Sequence, residues 1–293
     1  MSDNITRYGI LVGVDGSAGS DAAIRWAANE AVLRGRQITL MHVVTPVVVG
    51  WPMGPVQANI AEWQEDNARG VIADAQKVLQ AGVSPTEMLK VQREVRYAGA
   101  VASLVDATKD CYMVVVGASG TGAVGRSVLG SVSSGLLHHS HCPVTVVHED
   151  PSHVAGADTP VLVGIDGSPA SDAATAFAFD EASRRGVDLV ALHAWSDVGV
   201  LPILGMDWHR YEDFGHEVLA ERLAGWQEQY PDVKVRRHIV CDRPARWLID
   251  ESQGAQLVVV GSRGRGGFTA MLLGSVSGAV ARAAKAPVTI VRG

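Results

Sequence analysis

Two glycine-rich stretches of the chain have the composition of phosphate-binding loops. Both follow an apolar run and keep one spacing, G-x2-G-x9-G-S. The fixed positions are Gly117, Gly120, Gly130 and Ser131 in the first stretch, and Gly261, Gly264, Gly274 and Ser275 in the second. Glycine lets backbone amides approach an anion closely, and a Gly-Ser pair at a helix start adds free N–H groups, the helix dipole and a hydroxyl. The spacing therefore favours phosphate binding.

Other interpretations of the first stretch are weaker. The run "GTGAVG" has the G-x-G-x-x-G form of a dinucleotide fingerprint, but the second copy, "GRGGFT", loses the third glycine. The run "GRSVLGS" resembles a Walker loop without its lysine, and the second copy of this run begins at Thr269. Tight turns followed by a helix-capping serine are the structural alternative, and two complete copies count against it.

The whole chain is an internal duplication. "ILVGVDGS" returns as "VLVGIDGS" at an offset of 151 residues, which places Asp15 on Asp166. Later pairs, such as "VVVGASG" and "VVVGSRG", differ by 144 residues, so the first half carries seven extra residues between positions 43 and 88. The breaker-rich segment "EDPSHVAGADTP" reads as a linker. We expect two domains, at 1–152 and 153–293.

Each half alternates short apolar strands with helical sequence, for example "GILVGVD" followed by "SAGSDAAIRWAANEAVLRG". We count five strands per half. This alternation predicts βαβ units and an α/β fold with a parallel sheet that helices cover on both faces. Ligands of such sheets bind at the carboxyl ends of the strands, where Asp15, Val43 and Gly117 lie. An Asx turn that caps the next helix is the structural explanation for the aspartates, and it is compatible with ligand contact.

The composition restricts the class of partner. The chain has 293 residues, a net charge of −6 and no run of Lys or Arg, which argues against nucleic acid as a partner. No apolar run approaches the roughly 20 residues of a membrane span, and the N-terminal residues lack a basic segment followed by an apolar one. Three cysteines without metal or redox spacing fit a reducing compartment. We expect a cytoplasmic protein.

The combination of "VGVDGS", "LMHV", G-x2-G-x9-G-S and "PVTVV" resembles the universal stress protein family, over both halves. The resemblance implies two tandem Rossmann-like domains of the adenine nucleotide alpha hydrolase-like type, each with strand order 3-2-1-4-5. It also implies ATP binding, with Asp15 and Asp166 near the ribose or a phosphate-bound Mg²⁺. Because both halves keep the full glycine pattern, we expect two nucleotides per chain. A homodimer and a regulatory protein partner are expected as well.

The nucleotide-binding positions implied by this resemblance lie at strand ends and in the glycine loops. Val43 and Ala194 would meet the adenine through their backbone, and Asp197 is a further adenine candidate. In the first half the full set is Gly13, Asp15, Val43, Gly117, Ala118, Ser119, Gly120, Thr121, Gly122, Ala123, Gly130, Ser131 and Val132. In the second half it is Gly164, Asp166, Ala194, Asp197, Gly261, Ser262, Arg263, Gly264, Arg265, Gly266, Gly267, Gly274, Ser275, Val276 and Ser277.

Neither loop contains a carboxylate or Gln to orient an attacking water, so the sequence favours ATP binding over fast turnover and nominates no catalytic residue. The leading hypothesis is an ATP-binding stress or growth regulator whose surface is read by partners. A slow ATPase or adenylate-forming enzyme of the same superfamily is the enzymatic alternative. A structural dimer in which nucleotide only stabilises the fold is the third.

Overall fold

The computed structural model describes residues 6–46, 54–84, 88–120, 129–149, 156–194, 208–265 and 273–293. The chain divides into two compact units, Met1–Glu149 and Asp150–Gly293. Each unit has five strands and four α-helices among its described residues. The predicted site residues Thr121, Gly122, Ala123, Asp197, Gly266 and Gly267 lie outside the described residues.

The first unit alternates strands and helices along the chain. Its strands are β1 (Gly9–Gly13), β2 (Ile38–Val44), β3 (Val91–Tyr97), β4 (Cys111–Gly117) and β5 (Val144–Val147). Its helices are α1 (Ala18–Arg34), α2 (Gly54–Ala81), α3 (Ala100–Ala107) and α4 (Ser131–His139).

The second unit repeats this order. Its strands are β6 (Val161–Gly164), β7 (Leu189–Ala194), β8 (Val235–Val240), β9 (Leu257–Gly261) and β10 (Val288–Val291). Its helices are α5 (Pro169–Arg185), α6 (Trp208–Gln229), α7 (Pro244–Glu251) and α8 (Ser275–Ala283).

Both units have the strand order expected from the family resemblance. The order is β3-β2-β1-β4-β5 in the first unit and β8-β7-β6-β9-β10 in the second. The pairs are parallel, with Ile10 opposite Ile38 and Val161 opposite Leu189. The order in which strands are added to the sheet reverses between β1 and β4, and between β6 and β9. Open α/β folds bind ligands at this point. The predicted α/β fold with 3-2-1-4-5 sheets is confirmed.

The sheet cores are apolar on both faces, as parallel sheets require. Ile10, Leu11 and Val12 are fully buried in β1, and small alanines on α1, including Ala23 and Ala27, let this helix pack closely on the sheet. The helix ends at Gly35, whose positive φ of 59° closes its C-terminus. None of the helices in the described ranges combines the length and the apolar composition that a membrane span requires.

The seven extra residues of the first unit follow the first half of α2. Ala68, Ile72, Ala75 and Leu79 are all buried on this helix, so the buried Leu219 and Leu223 of α6 fit an offset of 151 or of 144 residues. Close approach favours 151, because a Cβ added at Gly16 would meet Val71 and a Cβ added at Gly167 would meet Arg222. The two helices therefore keep the offset of 151 as far as this position. This register matters for the site because α2 and α6 reach the turns after β1 and β6.

Candidate functional site

The turn after β1 fixes the carboxylate of Asp15. One of its oxygens, Oδ1, accepts hydrogen bonds from the Ser17 amide at 3.0 Å and from the Ser17 hydroxyl at 2.6 Å. Gly16 has a φ of +79°, which allows the sharp turn between these two residues. Ser17 in turn caps α1, since its Oγ accepts from the Ser20 amide at 3.1 Å. The Asx turn and helix cap considered from the sequence are therefore present.

A cavity of about 520 Å³ opens at the carboxyl ends of β1, β2 and β4. Its volume lies in the range of small-molecule sites. Its lining brings together strand ends, the glycine loop and the starts of three helices. The predicted residues among that lining are Gly13, Asp15, Val43, Gly117, Ser119, Gly120, Gly130, Ser131 and Val132. Of the described residues that line it, only Asp15 is charged.

Three helices begin at this cavity, and their N-termini differ. Ser17 caps α1, whereas α3 begins after Gly99 and α4 after Gly130, which offer no side chain to cap the helix. The first amides of an α-helix have no acceptor inside the helix, and the N-terminal end of the dipole is positive. Ser131, Val132 and Ser133 of this first turn line the cavity. Because α4 contributes these three residues of its first turn to the lining and α3 contributes only Ala100, the start of α4 is the part of the cavity best suited to a phosphate.

The loop glycines are required by close approach within the protein. A Cβ at Gly117 would lie 2.6 Å from the Gly19 carbonyl carbon, and a Cβ at Gly120 would lie 2.5 Å from Asp15 Oδ2. Neither glycine has a positive φ, and both distances are shorter than real Cβ contacts. Gly130 differs, since the nearest atom to an added Cβ is the Gly120 amide nitrogen at 3.6 Å. No atom of the described residues lies close enough to position 130 to exclude a side chain larger than that of glycine.

Hydrogen bonds hold the loop to the sheet and to α4. The Ala118 amide donates to Val147 O at 2.8 Å, and Ala118 O accepts from the Gly130 amide at 2.8 Å. The Ser133 hydroxyl donates to Gly117 O at 2.6 Å. Ala118 is the one described, predicted residue of the first loop that is not part of the cavity lining. Its role is to fix the exit of β4 against the start of α4.

The second unit repeats this framework at the ends of β6 and β9. The Ser168 amide donates to Asp166 Oδ1 at 2.9 Å, and a Cβ added at Gly261 would lie 2.7 Å from the Ala170 carbonyl carbon. α8 begins after Gly274, which again provides no side-chain cap. The Gly274 amide donates to Ser262 O at 2.8 Å, and the Ser277 hydroxyl donates to Gly261 O at 2.6 Å.

The second loop adds contacts that involve arginine. The Arg265 amide donates to Asp166 Oδ2 at 3.1 Å, and the Arg265 guanidinium donates through Nε to the Asp166 carbonyl. The Arg263 carbonyl accepts from Ser168 Oγ at 3.1 Å. Ser262 is buried, and its hydroxyl has no hydrogen-bond partner among the described residues. Such a hydroxyl costs about 1–3 kcal/mol unless a water or ligand satisfies it.

The remaining predicted residues of the second unit occupy matching places. Gly164 and Ala194 end β6 and β7, and a Cβ at Gly264 would collide with Asp166 Oδ2. Ser275 and Val276 form the first turn of α8.

A buried histidine supports the strand ends in each unit. His42 Nδ1 lies 2.7 Å from Val14 O, and His193 Nδ1 lies 2.7 Å from Ile165 O, so each ring donates to the residue before the aspartate. Burial lowers the pKa of His193 despite this hydrogen bond, and the nearby charges of Arg265 and Arg222 act in the same direction. These hydrogen bonds hold the ends of neighbouring strands together.

The residues present fit a magnesium ion only together with a ligand. Within the described part of the chain, no cluster of three or more His, Cys, Asp or Glu side chains could hold a metal. Each unit does offer one carboxylate beside the glycine loop, Asp15 or Asp166. Protein-bound Mg²⁺ commonly combines one or two carboxylates with substrate phosphates and waters. A nucleotide phosphate would have to complete the coordination.

Sequence reasoning did not identify several residues of the site. Ala100 and Leu104 of α3 form one wall of the first cavity, and Ser20 and Met41 also line it. In the second unit, Arg222 of α6 reaches the turn after β6, where a Cβ at Gly167 would collide with its guanidinium. The sequence signal that points to Arg222 is the comparison of the two halves, because the matching position 71 holds a valine.

Comparisons with known proteins match this fold and repeat. The model of the universal stress protein family matches residues 9–148 and 159–292. A universal stress protein of Mycolicibacterium smegmatis is 58% identical over 292 residues, covering 100% of this chain and 99% of the relative. A universal stress protein of Mycobacterium tuberculosis is 50% identical over 293 residues, with the same coverage of 100% and 99%.

A solved structure gives the same result for the fold. The crystal structure of a universal stress protein from Archaeoglobus fulgidus aligns with a TM-score of 0.72 at 21% identity, covering 97% of this chain and 98% of that one. With two matches to the family model and relatives at 50–58% identity over the full chain, the protein belongs to the universal stress protein family.

Proposed function

We propose that each unit binds one ATP molecule and that the protein is a nucleotide-dependent regulator of stress or growth. The uncapped start of α4, which opens on the cavity beside Asp15 and Val43, carries this proposal. The triphosphate would lie against the amides of Ser131 and Val132, the ribose beside Asp15, and the adenine at the end of β2. The second unit would use Asp166, Ala194 and the start of α8 in the same way.

The site supports binding more than turnover. Fast phosphoryl transfer needs a group that orients the nucleophile. Asp15 accepts two hydrogen bonds from Ser17, and the ring of His42 is turned to the Val14 carbonyl. Mg²⁺ would supply charge neutralisation for the phosphates at the first site, where Asp15 would hold it. The protein's own groups position and enclose the ligand.

The regulatory part of the proposal concerns what a partner detects. A ligand changes a conformational equilibrium only by its differential affinity for two states. The segments expected from the sequence to respond are the glycine loops at 118–129 and 262–273 and the stretches near 45–62 and 196–214; part of each lies outside the described residues. A homodimer, a regulatory protein partner and a cytoplasmic location remain predictions from the sequence.

The test begins with the nucleotide that the purified protein carries. The protein is denatured and the released small molecules are identified, and the refolded, nucleotide-free chain is then titrated with ATP and with adenosine. We expect ATP to bind at least tenfold more tightly than adenosine, since the helix starts contact only the phosphates. Equal affinity for the two, or no binding of either by a correctly folded chain, would overturn the proposal.

A further inference from the structure

Two cysteines of the first unit are in contact. Cys111 Sγ and Cys142 Sγ lie 3.3 Å apart, although the two positions are 31 residues apart in the chain. Cys111 is the first residue of β4, and Cys142 lies between α4 and β5. Both side chains are buried. Folding therefore brings together two thiols that form no redox motif in the sequence.

The fold does not need sulfur at these two places. The matching positions of the second unit, 144 residues later, hold Ala255 and Ala286, which are 1% and 0% exposed. The backbone around them keeps the same contacts. The His141 amide, directly before Cys142, donates to Thr108 Oγ1 at 2.9 Å, and the amide before Ala286 donates to the matching serine hydroxyl at 2.8 Å. Alanine satisfies the packing of one unit, so packing alone does not explain a pair of thiols in the other.

The geometry of the pair suits a covalent bond between the sulfurs. Two cysteines can be bridged without backbone movement only when their side chains converge, and thiols with their sulfurs 3.3 Å apart meet this condition. Cys142 stands in the short connection from α4 to β5, outside both elements. Rotation of the two side chains about their Cα–Cβ bonds can therefore bring the sulfurs together while the strands keep their places.

Exposed residues border the pair. Asp110 and His141, which directly precede Cys111 and Cys142, are exposed, and each cysteine is itself 6% exposed. A small neutral oxidant therefore has only a thin layer of protein to cross. The cavity proposed for ATP opens at the other end of β4, where Gly117 lies about 20 Å away at about 3.3 Å per residue. The thiol pair is thus separate from that site.

We propose that Cys111 and Cys142 form a redox-sensitive site, which hydrogen peroxide converts to a disulfide and a thiol reductant restores. The bond closes a ring from residue 111 to residue 142 that contains the first glycine loop and α4. A covalent ring of this size restricts the unfolded chain and stabilises the unit that contains it. Such a reversible bond suits a reducing compartment, where disulfides are transient. The inference goes beyond the ATP sites and does not depend on them.

Cys142 reacts first with the peroxide. The hydrogen bond with Cys142, together with burial, raises the pKa of Cys111, which therefore keeps its proton and donates to Cys142 Sγ. The Cys142 thiolate attacks one peroxide oxygen, the O–O bond breaks, and sulfenic acid and hydroxide form. The Cys111 sulfur then attacks the sulfenic sulfur, and its proton leaves with the sulfenic hydroxyl as water. The proton that Cys142 lost neutralises the hydroxide, so two thiols and one peroxide give one disulfide and two waters.

The experiment uses the full chain with Cys241→Ser, in which only the pair carries thiols. The folded protein is treated with hydrogen peroxide and denatured, its mass is measured, and its thiols are counted with an alkylating reagent before and after dithiothreitol. We expect a single chain that has lost two hydrogen atoms, with no free thiol before reduction and two after it. Two free thiols throughout, added oxygen that dithiothreitol does not remove, or a covalent dimer would each overturn the proposal. If the variant does not fold, the same outcomes are read from the native chain, in which a peptide that joins the two cysteines is the expected product.

Cys111→Ala and Cys142→Ala, each in the same background, are the matched controls, because alanine is the residue of the second unit at both positions. The remaining thiol of either variant has no partner in reach, so it should stay free or gain oxygen. A reducible loss of two hydrogen atoms from a single chain of either variant would show that the bond joins other atoms, which would contradict the assignment.

Amide hydrogen exchange of the oxidised and the reduced chain tests the stabilisation. The ring lowers the entropy of the unfolded first unit, so exchange at the amides of β4, Cys111–Gly117, should slow at least tenfold after oxidation. Reduction with dithiothreitol should restore the original rates. Equal exchange rates in a chain whose disulfide is confirmed by mass would overturn the stabilising role of the bond.

Discussion

Replacement of Gly120 by valine should inactivate the first site and leave the second intact. The added Cβ would lie 2.5 Å from Asp15 Oδ2, so the carboxylate must move by at least about 0.5 Å to reach the shortest contact that real Cβ atoms show. The carboxylate is held by two hydrogen bonds from Ser17. Loss of one hydrogen bond to a charged group costs about 1.5–3 kcal/mol. The valine keeps the carboxylate away from the position that the proposed ribose or Mg²⁺ contact requires, so we expect bound ATP to lose one contact of this size, which lowers the affinity about 10- to 150-fold.

Calorimetry on the nucleotide-free variant, in Mg²⁺, measures this effect directly. We expect one site of native affinity and one that is weakened. Gly264→Val should have the reciprocal effect, because its Cβ would collide with Asp166 Oδ2. Gly70→Ala is the control, since a Cβ there meets nothing within 4 Å on α2. A Gly120→Val protein that is folded and has lost both sites, or neither, would refute this reasoning about the loop.

Three further predictions concern other parts of the structure. Gly130→Ala should change the Tm by less than about 2 °C, because its Cβ would make only ordinary van der Waals contacts, the nearest at 3.6 Å from the Gly120 amide nitrogen. The variant should nevertheless weaken ATP binding at least tenfold, and an unchanged affinity would show that the phosphates do not lie at the start of α4. The pKa of His193 is lowered in the folded protein, so its contribution to stability is complete above about pH 6.5 and is lost as the pH falls through the lower, folded value. His193→Asn keeps a donor and should flatten the fall in the free energy of unfolding between pH 7 and 5, by at most about 1.4 kcal/mol per pH unit; an unchanged slope contradicts the assignment. Finally, a thiol reagent should modify half-buried Cys241 first. Cys111 and Cys142 are each only 6% exposed, and their mutual hydrogen bond and burial raise the pKa of Cys111. If all three thiols react at one rate, the Cys111–Cys142 pair is accessible and the prediction is wrong.

The alternation of elements was predictable from the sequence, because apolar runs and capping residues are local signals. "GILVGVD" reads as a buried strand, and Gly35 marks the end of α1, where the structure has a left-handed C-cap. The strand order came from the family resemblance and not from the pattern, since periodicity does not specify which strands pair.

The candidate site was only partly predictable, because its geometry depends on contacts between elements that no local pattern specifies. Repetition identified the glycines, but the reason for Gly117 is its approach to the backbone of α1, a tertiary contact. Arg222 lies 56 residues after Asp166 and belongs to a helix whose rotation against the sheet is set by the burial of Leu219 and Leu223. No local pattern places its guanidinium over Gly167. Comparison of the two units, with valine at 71, makes the difference visible once the helices are aligned.

The central claim is that both units bind ATP, and the binding stoichiometry of the nucleotide-free chain tests it most directly. Titration of the folded protein with ATP in excess Mg²⁺ should give two sites per chain, because the start of α4 and the start of α8 are both left without a side-chain cap beside a fixed aspartate. A stoichiometry of one or zero, with folding verified by circular dichroism, would contradict the account.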